Sequence, residues 1–265
     1  MLWIHDLPLW LVAVMMLAVF VGGSLLGLAV SRRWSRRRGL HALVDNGVIG
    51  WIFSAILGIY AIAIGLIAVA AWGNASQAAG VASREAAEIA ALYRDLSGYP
   101  EPPRSRLQAE IARYTTYVIY QAWPLQRRGE IPHGGTEILN EFQAILYAFE
   151  PATDGQKIVH AEALRAFNTL IELRRQRLEA VGYAVPGTLW SVVLIGALLS
   201  ITASFVFNME SFSVHAIMTS LLAAMIALLV YFIVITDRPY RGAVSVGPEA
   251  FELVLHDLIE PGQRR

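Results

Sequence analysis

The residues able to do chemistry in this chain of 265 residues are few and scattered. Six histidines, at positions 5, 41, 133, 160, 215 and 256, show neither an HExxH pair nor any other ligand spacing. There is no Gly-rich phosphate loop and no GxSxG elbow, so neither a nucleotide cradle nor a hydrolase nucleophile can be placed. The absence of cysteine excludes disulfides and thiolate metal sites and leaves the redox compartment open. Arg84, Glu85 and Glu88 could act as catalytic groups only if a cleft gathered them. Arg84 and Glu88, four residues apart, read as a surface pair on a helix. An enzyme is therefore the least supported class, and no cofactor or metal is expected.

The elements that carry these residues explain the poverty. The sequence is 56% hydrophobic and only 16% charged, the composition of an integral membrane protein. Net charge is zero, so no bulk field favours nucleic acid. Four apolar runs, 7–30, 48–72, 186–208 and 214–236, are long enough to cross a bilayer and contain no Asp, Glu, Lys or Arg. Charged groups inside spans mark proton relays and ion-coupled carriers, so their absence argues against a pump. His215, at the start of the fourth run, reads as a hydrogen-bonded structural residue.

The predicted fold is all-α: four transmembrane helices, a helical bundle inserted between the second and third, and a second helix extended into a stalk. The predicted domains are 1–72, with an Arg-rich loop at 31–47, then 73–183, 184–236 and a tail at 237–265. MLWIHD carries an acid and no Lys or Arg, and the apolar run after it exceeds a signal h-region, so a cleaved signal is not expected. Arg32, Arg33, Arg36, Arg37 and Arg38 place their loop in the cytoplasm. The N-terminus, the helical domain and the C-terminus then lie outside. A site for anionic lipid head groups is a compatible reading of the same cluster. Twelve basic and thirteen acidic residues between 73 and 183 nearly cancel, so the inserted domain does not oppose that orientation. Arg174, Arg175, Arg177, Arg238 and Arg241 compete with it.

Within 73–183, helices are expected to Leu96, over 104–123 up to Pro124, over 136–149 with Thr136 as a cap, and over 154–181. The last should bury Ile158, Ala161, Leu164, Phe167, Ile171, Leu178 and Val181. Residues 237–265 read as a turn, a short extended piece and a helix opening near Pro248, packed on the helical domain.

The stretch from Trp51 to Leu96 contains no proline. At steps of three and four it holds a seam of mostly small residues, Trp51, Ser54, Gly58, Ala61, Gly65, Ala68, Trp72, Ala75, Ala79, Ala82, Ala86, Ile89, Tyr93 and Leu96. Small side chains in lipid let helix backbones approach, so the seam asks for partner helices, from the chain itself or from further copies.

Here the residues carry a resemblance. GVIGWIFSAILGIYAIAIGLIAVAAW, then SREAAEIAALYRDL, YQAWP, VPGTLW and DRPYRG resemble the bacterial DUF4239 family, described as bestrophin-like. The matching positions are Gly58, Tyr60, Trp72, Glu85, Ala86, Leu92, Tyr93, Arg94, Trp123, Pro124, Pro186, Trp190, Asp237, Pro239 and Gly242. Bestrophins are pentameric anion channels whose second membrane helix lines the pore and runs into a helical domain. The resemblance therefore implies a homo-oligomer in the lipid bilayer of the bacterial inner membrane, passing small inorganic ions. Bestrophins keep the large domain in the cytosol, the reverse of the Arg-cluster reading, and their acidic calcium clasp has no counterpart that can be mapped here.

Two functional classes follow. In an anion channel with the second span at its axis, Ile56, Gly58, Ile59, Tyr60, Ile62 and Gly65, with Ile64, are the candidates for the constriction or its packing, and Arg94 for attracting anions at a mouth. The alternative is a non-conducting sensor or scaffold that acts through its helical domain.

Overall fold

The structure is a computed structural model, described here for residues 7–37, 45–242 and 244–259. Every regular element among them is helical: α1 Leu9–Arg37, α2 Asn46–Asp95, α3 Pro103–Tyr117, α4 Trp123–Arg127, α5 Gly135–Tyr147, α6 Asp154–Ala180, α7 Gly187–Ser204, α8 Phe212–Thr236 and α9 Glu249–Val254. Single wide turns lie at Val118–Ala122 and Leu255–Ile259. Four helices, α1, α2, α7 and α8, are long and apolar enough to cross a membrane. The contacts divide the chain into two units, one running to Gly73 and resuming over Ala184–Asp237, the other made of Asn74–Tyr183 and the residues from Arg238 onward.

The first unit holds α1, the opening turns of α2, α7 and α8. Helix α1 packs chiefly on α8. Its core is built from Tyr60, Ile64, Ile67 and Ala71 of α2 with Val193, Ala197 and Ile201 of α7 and Ala223, Ile226, Val230 and Ile233 of α8. The Asp237 carboxylate accepts a 2.6 Å hydrogen bond from the Val185 N–H. Helix α1 does not stop at Val30 but continues to Arg37, so Arg32, Arg33 and Arg37 stand on its last turns rather than in a loop. Basic residues there are favoured by the exposed carbonyls at the helix end. His5 lies outside the described residues, as do residues 38–44 of the expected 31–47 loop, with Arg38 and His41, and residues 260–265.

The second unit gathers the later turns of α2 with α3, α4, α5, α6 and α9. Leu92, Leu96, Leu107, Ile111, Phe142, Leu146, Phe167 and Leu170 form its core, together with Tyr240, Phe251 and Leu255 of the C-terminal stretch. Pro124 does not end a helix here; α4 runs on to Arg127. Proline has no N–H and its ring crowds the carbonyl four residues back. The wide turn just before it relieves that conflict, with the Trp123 N–H reaching the Val118 carbonyl, five residues back. Thr136 does not cap α5. The N-cap is Gly134, and the Thr136 hydroxyl instead accepts a 2.9 Å hydrogen bond from Arg174. Helix α6 is capped by Thr153, whose hydroxyl accepts from the Gln156 N–H.

The buried face of α6 differs from the expected one. Ala163, Ala166, Phe167, Leu170, Leu173, Arg177 and Ala180 are buried, while Ile158 is 72% exposed. Ala161 and Ile171 are exposed too. Phe167 and Val181 are buried as expected and Leu164 packs against the core, but the buried face is rotated so that it takes in the charged Arg177.

Glu88, half-buried on α2, has its carboxyl pushed up by burial and by Asp95 and Glu162 nearby. An unfolded glutamate ionises near 4.5, before the folded one does, so stability is lost as the pH rises from there through the folded value. Glu88→Gln removes that loss. Its denaturation midpoint is expected to exceed the parent's at pH 7 and to match it at pH 4.

Candidate functional site

In the first unit, α2 turns one side into the core and leaves another free. Successive residues of a helix are about 100° apart, so Tyr60, Ile64, Ile67 and Ala71 share the inward face. Ala55, Ile59, Ile62, Leu66 and Val69 share a side more than a third of a turn away, and all five are exposed. Ile59 is 73% exposed and Val69 69%, an uncharged, bulky stripe with no partner helix among the described residues. Between the two faces runs the seam of small residues, of which Ser54, Gly58 and Ala61 are exposed and Gly65 is partly covered. A Cβ added at Gly58 or Gly65 would meet no atom within 4 Å, so neither glycine serves a close contact among the described residues.

The candidate residues therefore separate. Ile59 and Ile62 lie on the free stripe, Gly58 beside it, and Ile56 and Gly65 are half-buried at its margins. Tyr60 and Ile64 do not belong to it: Tyr60 is 8% exposed and Ile64 1%. The Tyr60 hydroxyl donates to the Val193 carbonyl at 3.1 Å, and its ring covers Gly196 of α7. A methyl group at Gly196 would collide with that ring. Gly196→Ala is thus expected to cost about 1–3 kcal/mol by overpacking, read as a lower unfolding midpoint in detergent. Leu66 and Val69 were missed in the sequence. Their signal was present, because both continue the three–four spacing from Ile59 and Ile62 a quarter turn from the small seam.

In the second unit Arg94 is exposed on the last turn of α2. Arg84 turns back to the Gly80 carbonyl, 3.3 Å away, rather than to Glu88. Glu85, between them, is completely buried. Arg177 of α6, 1% exposed, donates to its two carboxylate oxygens at 2.6 and 3.0 Å, and the Tyr114 hydroxyl of α3 donates to it at 2.7 Å. The rings of Trp123 and Phe251 lie 5.5 and 5.6 Å from the guanidinium carbon. Burial works to discharge Arg177, but the Glu85 carboxylate more than offsets it and holds the guanidinium above its ordinary range. Burial pushes the Tyr114 phenol up. The groups are closed to solvent and bonded to one another, save Arg177 Nη1, which is buried without a hydrogen-bond partner, so the cluster cements α2, α3, α6 and the C-terminal stretch rather than meeting a substrate.

Tyr99 and His160, 2.7 Å apart through the hydroxyl and Nδ1, form a second polar pair, and burial lowers the imidazole pKa. Among the described residues no group of three His, Asp or Glu side chains could hold a metal ion.

The comparisons with known proteins bear on the same fold. A family model described as Bestrophin-like domain matches residues 18–251. A crystal structure of a point mutant of a bacterial bestrophin homologue from Klebsiella pneumoniae superposes with a TM-score of 0.70 at 14% identity, covering 95% of this chain and 99% of that one. The bacterial bestrophin homologue from the same organism phased on zinc gives 0.67 at 14% identity, over 93% and 98% of the two chains. A structure described as a variant of a membrane protein gives 0.66 at 13% identity, over 94% and 96%. No curated protein matches the sequence.

Proposed function

This chain belongs to the bestrophin-like domain family, and from that premise we propose that it is a homo-oligomeric anion channel of the bacterial inner membrane, with α2 next to the pore axis. The observation that carries the reading is the free stripe Ala55, Ile59, Ile62, Leu66 and Val69 on a helix apolar enough to span. Bulky apolar residues alone would be content against lipid. The small seam beside them would not, because Ser54, Gly58 and Ala61 expose backbone that lipid chains fill poorly and another helix fills well. A neighbouring copy packed on that seam turns the stripe toward the axis of a ring. Ile59, Ile62, Leu66 and Val69 are then the constriction, an uncharged collar that gates by wetting and dewetting. Tyr60 braces the collar from behind through α7, and Arg94 draws anions toward one mouth. DUF4239 is the narrower family to which the motifs from Gly58 to Gly242 assign the chain.

Purified protein in lipid vesicles is expected to pass chloride or iodide, and native mass measurement in detergent to find a ring of identical subunits. Absence of flux across lipids and voltages, with a stable hetero-complex in place of a ring, overturns the channel in favour of a sensor or scaffold. For orientation, the Arg-rich end of α1 is placed in the cytoplasm. An impermeant thiol reagent is then expected to label Glu130→Cys and to spare Arg38→Cys. The reverse pattern moves the helical unit into the cytosol.

A further inference from the structure

The first unit contains a cavity of about 340 Å³ that the channel reading does not use. Its volume is at the lower end of small-molecule pockets, enough for a stretch of one hydrocarbon chain. Phe53, Phe207, Met218 and Leu222 supply an apolar wall, with Phe53 and Phe207 edge to face at 5.2 Å between ring centres. Two polar features break that wall. His215 is satisfied, with Nε2 2.9 Å from the Ser204 carbonyl. Thr219, 1% exposed, is not, and its hydroxyl lacks a partner. Threonine in a helix ordinarily satisfies its hydroxyl on the carbonyl four residues back, as Thr202 and Thr236 do here. Thr219 lines the cavity with its hydrogen-bonding capacity unspent.

A cation adjoins the same cavity. Arg32, on the last turns of α1, donates from Nη2 to the carbonyls of Met209 and Glu210 at 3.0 and 2.6 Å, and Met209 is itself a cavity residue. The guanidinium carbon lies 5.6 Å from the centre of the Phe212 ring. Its other terminal nitrogen, Nη1, is buried and has no hydrogen-bond partner. A desolvated guanidinium N–H without an acceptor is costly, and a phosphate oxygen is among its best acceptors.

We propose that this cavity is a binding site for an anionic phospholipid, whose acyl chain fills the space lined by Phe53, Phe207, Met218 and Leu222 and whose phosphate accepts from Arg32 Nη1. An ester oxygen of the same molecule engages the Thr219 hydroxyl. The site lies at the end of α1 that carries Arg33 and Arg37 as well, which adds long-range attraction for an anionic head group but no specific contact. The proposal is independent of conduction and of oligomer number.

The test is native mass measurement of lipid retained by the purified full-length protein after exchange with phosphatidylglycerol, phosphatidylcholine or decanoate. One phosphatidylglycerol per chain is expected, retained about fivefold better than phosphatidylcholine, the effect of one well-placed cation. Arg32→Gln is expected to weaken both phospholipids, since both carry the phosphate, and phosphatidylglycerol more, since it alone is net anionic, so that the preference disappears; Arg32→Lys is expected to keep part of it. Leu222→Trp, which fills the cavity, is expected to reduce retention of both phospholipids, whereas Leu222→Ala keeps it. Thr219→Val is expected to weaken both phospholipids alike. A head-group preference that survives Arg32→Gln, retention untouched by Leu222→Trp, or binding of decanoate in place of phospholipid overturns the assignment.

Discussion

Arg177→Met is expected to lower the unfolding free energy by about 3–5 kcal/mol, the largest stability loss of any single change considered for this chain. The substitution leaves Glu85 completely buried, with the Tyr114 hydroxyl as its remaining partner. A carboxylate held in a dry interior without its counter-charge must be protonated or draw in water, and either disrupts the packing around Trp123 and Phe251. Surface pairs such as Arg165 with Glu162 make a useful contrast, since both partners are more than half exposed and losing one is worth under about 1 kcal/mol. The double variant Glu85→Leu with Arg177→Met removes both charges together and is expected to regain most of the loss. Denaturant midpoints of the parent, the two single variants and the double variant in one detergent decide the matter. A single variant within about 1 kcal/mol of the parent would refute the account of the cluster as internal cement.

Leu66→Ser is expected to raise anion flux through vesicles by about tenfold or more. Burying or exposing a leucine side chain is worth roughly 1.5–3 kcal/mol, and a tenfold change needs only about 1.4. In a ring every subunit contributes the same change, so water enters a collar that was dry. Leu66 projects on the free stripe, and the substitution removes no internal contact of the core built by Tyr60, Ile64 and Ile67. Tyr60→Phe supplies the counter-test: it deletes the hydrogen bond to the Val193 carbonyl and is expected to lower stability slightly with little change in flux. Unchanged flux in Leu66→Ser with altered flux in Tyr60→Phe would mean that the inward face, not the free stripe, lines the path.

The amino-acid sequence by itself determined the helices. Four charge-free, continuously apolar runs of helix-spanning length read as helices in lipid, where a helix satisfies its backbone polar groups internally and the strands of a barrel would be shorter and alternate in polarity. The unbroken stretch from Asn46 to Asp95 followed in the same way from the lack of proline across it. These are local properties, set residue by residue by transfer free energy and backbone geometry. Which way each helix faces was not local. Helix α6 has Ile158 and Ile171 on the face that apolar spacing draws, yet it turns so that Arg177 is buried. The reason is Glu85, which lies 92 residues away in the chain. Tyr60 is drawn off the free stripe by a groove at Gly196, and Pro124 is carried inside a helix by a wide turn before it. Each of these depends on a partner or a strain that periodicity does not encode. Only the tertiary structure could decide them, because a buried charge or a ring over a glycine gains its free energy from atoms brought together by folding, not from its neighbours in sequence.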